Sequence, residues 1–157
     1  AIQNMLLNND NIKLIIAGEA YESLKEYKSI IKKYDINDKV IWINNFISND
    51  MIQKLMIISD LLVLPYKTAS QSAVLSQAWQ YNLPAIVTNV GGLAEYIDNG
   101  RSGYIVESNN INELSKKIEY FFNSNDLNEM PKYIKSNKEK FSWNYYIQGL
   151  LELADEA

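Results

Sequence analysis

The chain is 157 residues long, with 15 lysines and arginines against 19 aspartates and glutamates, and 47% of its residues are hydrophobic. It contains no cysteine and no histidine, which excludes disulfides, thiol nucleophiles, Cys- or His-ligated metals and histidine general bases from these residues. The net charge of −4 argues against a nucleic-acid polymer as partner, because such partners select basic surfaces. No apolar run approaches the roughly 18 residues of a transmembrane helix, and we expect neither a metal site nor a cofactor.

Short apolar segments alternate with longer segments of helical periodicity. After a first helix, the predicted elements are a strand over residues 12–17, a helix over 21–34, a strand over 40–43, a helix over 50–59, a strand over 61–64, a helix over 70–81, a strand over 85–88, a short helix carrying Glu95, a strand over 104–106, and helices over 111–122, 127–138 and 143–156. This order predicts an α/β fold, a Rossmann-like parallel sheet flanked by helices on both faces. At this length we expect a single domain over residues 1–157.

Ligands of open parallel sheets bind beyond the carboxyl ends of the strands, and the loop after the third predicted strand is the first candidate site. It carries a cation, Lys67, and the hydroxyl groups of Ser70 and Ser72. Thr68 and Gln71 have the spacing of a capping box, so the following helix is predicted to begin near Thr68. The amides of its first turn, together with Lys67, favour an anion. The alternative is an ordinary capped helix.

Two further strand ends contain glycine. Gly91 and Gly92 follow the fourth predicted strand, where they permit a positive φ and a close approach of the backbone to a ligand; a tight turn is the simpler interpretation. Glu95 follows on a short helix, where it either orders the loop or complements the helix dipole. Gly18 ends the first strand, but Ala20 and Ser23 stand where the G-x-G-x-x-G dinucleotide fingerprint needs glycine. A Rossmann dehydrogenase is therefore disfavoured.

These motifs, in this order and spacing, resemble the C-terminal domain of group 1 (family 4) glycosyltransferases, which are retaining enzymes of the GT-B fold. The resemblance extends over nearly the whole chain. It is carried by Ile15-Ile16-Ala17-Gly18, Val40-Ile41-Trp42-Ile43, Ser59-Asp60-Leu61-Leu62-Val63-Leu64-Pro65-Tyr66, Ser70-Gln71-Ser72, Pro84-Ala85-Ile86-Val87-Thr88-Asn89-Val90-Gly91-Gly92-Leu93-Ala94-Glu95, Asp98-Asn99-Gly100, Gly103-Tyr104-Ile105-Val106 and Phe141-Ser142-Trp143. The fold it implies is half of a GT-B fold without its first strand, as a fragment of a longer two-domain enzyme.

The resemblance implies a nucleotide-sugar donor site built from the loop and helix after the third strand and from the glycine pair. No catalytic residue is assigned. In the family this helix carries two glutamates eight positions apart, and those positions fall on Ala69 and Gln77 here. A subgroup of the family uses a Ser-Gln-Ser-Gly-like loop, which Ser70-Gln71-Ser72 resembles. The implied donor-binding residues are Gly18, Lys67, Ser70, Gln71, Ser72, Gln77, Gly91, Gly92 and Glu95.

The function that the resemblance implies is donor binding in a retaining glycosyltransferase of bacterial surface polysaccharide biosynthesis, with a nucleotide-diphosphate sugar as substrate. An acceptor glycan or lipid-linked sugar is expected on a separate N-terminal domain. We expect the full-length enzyme in the cytoplasm, peripheral at the inner face of the membrane, and the fragment alone to be inactive. One alternative is a glycosyltransferase-like binding or scaffolding module without turnover, motivated by Ala69 and Gln77. Another is a GT-B-like sugar-nucleotide epimerase, which the lack of histidine disfavours. The donor base, the donor sugar, the acceptor and the oligomeric state stay open.

Overall fold

The structure, a computed structural model, describes residues 3–9, 11–21, 23–138 and 147. Apart from Ile147, the helix predicted over 143–156 lies outside the described residues. The chain divides into two compact units, Ala1–Leu55 and Met56–Ala157, with the boundary inside helix α3 (Asn49–Ile58). The expectation of one domain over residues 1–157 stays a prediction.

The first unit is built on a two-stranded parallel sheet. After helix α1 (Gln3–Asn8), strand β1 (Leu14–Ala17) pairs with strand β2 (Val40–Ile43), and helix α2 (Lys25–Lys33) connects them. Helix α2 begins later than its periodicity predicts, after a turn in which the hydroxyl of Ser23 accepts a hydrogen bond from the Lys25 amide. An apolar cavity of about 170 Å³ lies between the helices and this sheet, and its lining includes Leu6, Ile16, Tyr27, Ile31 and Trp42.

The second unit contains a three-stranded parallel sheet in the order β3–β4–β5, formed by β3 (Leu62–Leu64), β4 (Ala85–Thr88) and β5 (Gly103–Val106). Helix α4 (Ala73–Gln80) connects β3 to β4, a 3-10 helix (Ala94–Tyr96) connects β4 to β5, and helices α5 (Ile111–Asn123) and α6 (Asp126–Asn137) follow. Every residue of the central strand β4 is buried, as its uninterrupted apolar character predicts. The prediction of an α/β fold with parallel strands and flanking helices is confirmed.

One apolar cluster fixes the ends of β3 and β4 relative to α4. Burial of such a side chain stabilises the fold by about 1.5–3 kcal/mol, so the cluster provides a rigid base for the loops that leave these strands. Its buried members are Leu64, Leu75, Ala85, Val87, Leu93 and Ile97.

Helix α4 corrects one prediction. It begins at Ala73, whereas the sequence predicts a helix over 70–81 with a cap near Thr68; that prediction of the start is wrong. Ser72 is the N-cap: its backbone is extended (φ −137°, ψ 113°), and its hydroxyl oxygen accepts a hydrogen bond from the Leu75 amide at 3.3 Å. The extended backbone of Ser72 separates the helix from residue 70, whose carbonyl accepts a hydrogen bond from the amide of Gly92 at 2.8 Å.

Tyr104 connects β5 to α6. Its hydroxyl donates a hydrogen bond to Asp126 Oδ2, and the Lys117 ammonium lies over its ring, 4.5 Å from the ring centroid. Burial, followed by the hydrogen bond to Asp126 and the charge of that carboxylate, raises the pKa of Tyr104 above the ordinary tyrosine value. The folded protein therefore keeps the phenolic proton to a higher pH than the unfolded chain does.

We expect Tyr104→Phe to lower the free energy of unfolding by about 1 kcal/mol at neutral pH, the usual value of one hydrogen bond. Below about pH 10 both states hold the proton, so this contribution is constant; above it the unfolded chain releases the proton first and the contribution shrinks. Urea unfolding followed by circular dichroism between about pH 8 and about pH 11 should show the two proteins converging. Tyr21→Phe, at a side chain that is 93% exposed, is the matched control. A wild-type advantage that stays constant across this range contradicts the prediction.

Candidate functional site

Two loops leave the same edge of the second sheet, because β3 and β4 are adjacent and parallel. We call residues 65–72 the β3 loop and residues 89–93 the glycine turn. This edge is where ligands of open parallel sheets bind. Seven of the residues expected from the sequence lie on these two segments or just beyond them: Lys67, Ser70, Gln71, Ser72, Gly91, Gly92 and Glu95.

The glycine turn packs backbone against backbone on the β3 loop. The Gly92 amide donates a hydrogen bond to the Ser70 carbonyl at 2.8 Å. Gly91 has a φ of +53°, and a Cβ built on it would lie 1.8 Å from the Ala69 carbonyl oxygen. Only glycine satisfies both the conformation and the contact. The close approach that the sequence suggested toward a ligand is made here with the neighbouring loop.

Atoms from the β3 loop and from the 3-10 helix lie close to Gly92. A Cβ at Gly92 would lie 3.0 Å from the Ser70 carbonyl oxygen, 3.8 Å from Gln71 Cγ and 3.8 Å from Glu95 Oε2. The side chains of Gln71 and Glu95 are both exposed. The missing side chain at Gly92 therefore leaves a small recess bordered by the Ser70 carbonyl, the Gln71 side chain and the Glu95 carboxylate.

The start of α4 and Lys67 provide positive potential on the β3 side. Leu75 donates its amide to the Ser72 cap, whereas the amides of Ala73 and Val74, the first two of the helix, have no intrahelical acceptor. Lys67 is exposed, and its ammonium makes no hydrogen bond or ion pair within the described part of the chain. Such a helix start with a nearby cation suits an anionic ligand.

Ala69 and Gln77 are the two positions where the resemblance places the glutamates of the family. Ala69 packs its side chain against the apolar cluster of the second unit, so this position contributes to packing as well as to the contact with Gly91. Gln77 is half-buried on α4, on the same face as Ala73 and one turn further on. It can offer an amide to a ligand at the helix start, without charge.

Gly18 lies in the first unit, whereas the other candidate residues lie in the second. It follows β1 with a φ of +142°, and its amide donates to the Ile43 carbonyl at 3.1 Å. The Ala20 amide donates to Asn44 Oδ1 at 3.0 Å. The loop after β1 is thus attached to the end of β2. Glycine is required at position 18 by its positive φ and not by a close contact, since no atom lies within 4 Å of its missing Cβ.

Two kinds of feature are absent from the described part of the chain. No group of three or more acidic side chains within it is arranged to hold a metal ion. No helix in the same residues is long and apolar enough to cross a membrane.

Comparison with known proteins decides the family. The family model described as Glycosyl transferases group 1 matches residues 1–141. The chain belongs to this family. A glycosyltransferase of Methanocaldococcus jannaschii is 27% identical over 147 residues, which cover 93% of this chain and 40% of that protein. The chain thus spans less than half the length of that relative.

Solved structures show the fold of this group 1 family member. HepE of Anabaena, in complex with UDP, superimposes with a TM-score of 0.80 at 18% identity, covering 99% of this chain and 44% of that one. The C-terminal domain of a glycosyl transferase group 1 family protein from Francisella tularensis superimposes with a TM-score of 0.74 at 16% identity, covering 87% and 75%. The predicted family and the predicted half of a GT-B fold are confirmed.

We expect Gly91→Ala to be strongly destabilising, because the new methyl group collides with the Ala69 carbonyl. Gly100→Ala is the matched control: Gly100 also has a positive φ, +80°, but no atom within 4 Å of the missing Cβ, so its cost is the backbone term alone, about 1 kcal/mol. Urea unfolding should place Gly91→Ala at least about 2 kcal/mol below this control. Equal losses for the two variants would mean that the contact with the β3 loop contributes nothing.

Proposed function

We propose that this chain binds the nucleotide-sugar donor of a retaining glycosyltransferase. One observation carries the proposal: in a member of the group 1 family, the β3 loop, the start of α4 and the glycine turn converge at one strand edge. The complexes of HepE with UDP and with UDP-glucose, on a similar fold, support a nucleotide-diphosphate sugar as the ligand. In this proposal the chain is the donor half of a longer protein.

The diphosphate of the donor binds the start of α4. When the bond between the anomeric carbon and the diphosphate breaks, negative charge develops on the leaving phosphate. The amides of Ala73 and Val74 have no intrahelical acceptor, and preorganised donors of this kind stabilise such charge. Lys67 adds a full positive charge, and the Ser70 hydroxyl adds a further donor.

The sugar and ribose hydroxyls bind the polar side chains around Gly92 and on α4. Glu95 and Gln71 border the recess at Gly92 and supply a carboxylate acceptor and an amide. Gln77 binds ribose hydroxyls without charge. In this scheme Glu95 takes the role of the sugar-binding carboxylate that position 69 lacks.

The rest of the reaction belongs to the longer protein in this proposal. A second domain binds the acceptor, a glycan or a lipid-linked sugar, and closes the cleft over the donor. We place the enzyme in the cytoplasm at the inner face of the membrane, in bacterial surface polysaccharide synthesis; the family resemblance is the support for this setting.

We expect Lys67→Ala in the full-length protein to weaken UDP binding about tenfold, because the diphosphate loses a charge-assisted contact. The affinity of the wild type should fall with added salt more steeply than that of the variant. Isothermal titration with UDP and with GDP measures both effects and compares the two bases.

Lys135→Ala is the matched control, since it removes the same charge from an exposed position on α6 and should leave the affinity unchanged. Failure of the wild type to bind UDP, GDP or their sugar conjugates would overturn the proposed function. Equal effects of the two lysine substitutions would remove Lys67 from the site.

A second candidate is a binding module that has lost turnover. The packing of Ala69 against the apolar cluster favours it, because no carboxylate can reach a donor sugar from this position. Both candidates bind the nucleotide-sugar, and only the enzyme cleaves it and releases the nucleotide. Release of UDP from UDP-glucose and other UDP-sugars by the full-length protein, above the rate of a Glu95→Gln variant, would exclude the module.

A further inference from the structure

Thr88 has a buried hydroxyl at the end of the central strand. The residue is 4% exposed and ends a strand whose other three residues are apolar. Its hydroxyl donates a hydrogen bond to the Tyr66 carbonyl at 2.6 Å, with the Leu64 carbonyl further away at 3.4 Å. The hydroxyl thus forms its shorter hydrogen bond with the first part of the β3 loop and not within its own strand.

The β3 loop has two anchors on the segment that runs from the last residue of β4 into the glycine turn. The Thr88 hydroxyl holds the Tyr66 carbonyl, and the Gly92 amide holds the Ser70 carbonyl. The anchors are four residues apart on both segments. Lys67 therefore lies in a three-residue span, 67–69, whose two ends are fixed to the same neighbouring segment.

We propose that Thr88 is a positioning residue for donor binding. It sets the path of the 67–69 span, and so the location of the Lys67 charge, without touching the donor. The inference rests on the proposed function for its ligand, but the anchoring itself does not. Without the hydroxyl, the Tyr66 carbonyl loses its partner and the start of the span is held by the chain alone.

The central experiment is a double-mutant cycle on UDP binding by the full-length protein, with Thr88→Val and Lys67→Ala. Thr88→Val keeps the shape of the side chain and removes the hydroxyl, and we expect it to raise the Kd for UDP about fivefold to tenfold. Because it acts through Lys67, adding Lys67→Ala should raise the Kd by less than about twofold more, whereas independent residues would multiply their effects. Thr88→Ser restores the hydroxyl and should bind within about twofold of the wild type.

Ser102→Ala is the control for general loss of stability. Ser102 is 1% exposed, and its hydroxyl oxygen accepts a hydrogen bond from the Asp98 amide at 2.9 Å. The substitution also removes a buried hydroxyl from the second unit, but one that holds the turn before β5. It should lower the melting temperature, leave the Kd for UDP unchanged, and combine with Lys67→Ala multiplicatively.

Amide hydrogen exchange of residues 66–71, measured without nucleotide, separates the two hypotheses. Faster exchange there in Thr88→Val, but not in Ser102→Ala or Thr88→Ser, supports the anchoring whether or not the wild type binds UDP. Failure of the wild type to bind UDP overturns only the proposed function. The role of Thr88 would be overturned by any of three results. These are unchanged exchange in Thr88→Val, a multiplicative cycle with Lys67→Ala, and a loss of affinity in Ser102→Ala equal to that in Thr88→Val.

Discussion

The contact between the glycine turn and the β3 loop determines the geometry of the candidate site. The Gly92 amide binds the Ser70 carbonyl, and Gly91 lies against the Ala69 carbonyl at a distance that no side chain permits. The contact holds residues 69 and 70 of the β3 loop just before Ser72, the cap of α4. The two glycines therefore lie beside the segment that leads into the helix amides.

The contact can fix the conformation of both loops because the strands that carry them are well packed. Strand β4 is central and buried on both faces, and the apolar cluster fixes it against α4 and the end of β3. Loops attached to such a base need few further interactions to adopt one conformation. In the proposed function, backbone amides and a single lysine bind the anion, so a net charge of −4 does not argue against a phosphate ligand.

The sequence predicted those features that depend on local pattern. Strand β4 was expected over 85–88 and strand β2 over 40–43, and both have these bounds, because a short run of apolar residues between turns has few alternatives. The start of α4 was wrong, since the capping-box spacing of Thr68 and Gln71 is a local signal that the long-range contact with Gly92 overrides. The strand-end rule indicated candidate residues that do lie at one edge of the second sheet, but spacing does not reveal that the partner of Gly91 is Ala69.

Thr88 shows the limit of sequence reasoning from another side. Threonine is common in strands, so its presence at the end of β4 carries no signal by itself. Only the hydrogen bond to Tyr66 distinguishes its hydroxyl from an ordinary β-branched side chain. The clue available beforehand was its place, a polar group at the carboxyl end of a strand that is otherwise wholly apolar.

Ala69, at the position where the resemblance places a family glutamate, takes part in the same contact. The side chain of Ala69 packs against the apolar cluster, while its carbonyl faces Gly91, so both sides of the residue are committed to packing. A carboxylate for a ligand must then come from another segment, and Glu95 lies beside Gly92 on the far side of the turn. Its use in the proposed function depends on the turn being held against the β3 loop, since this contact helps to bring Gln71 and Glu95 together.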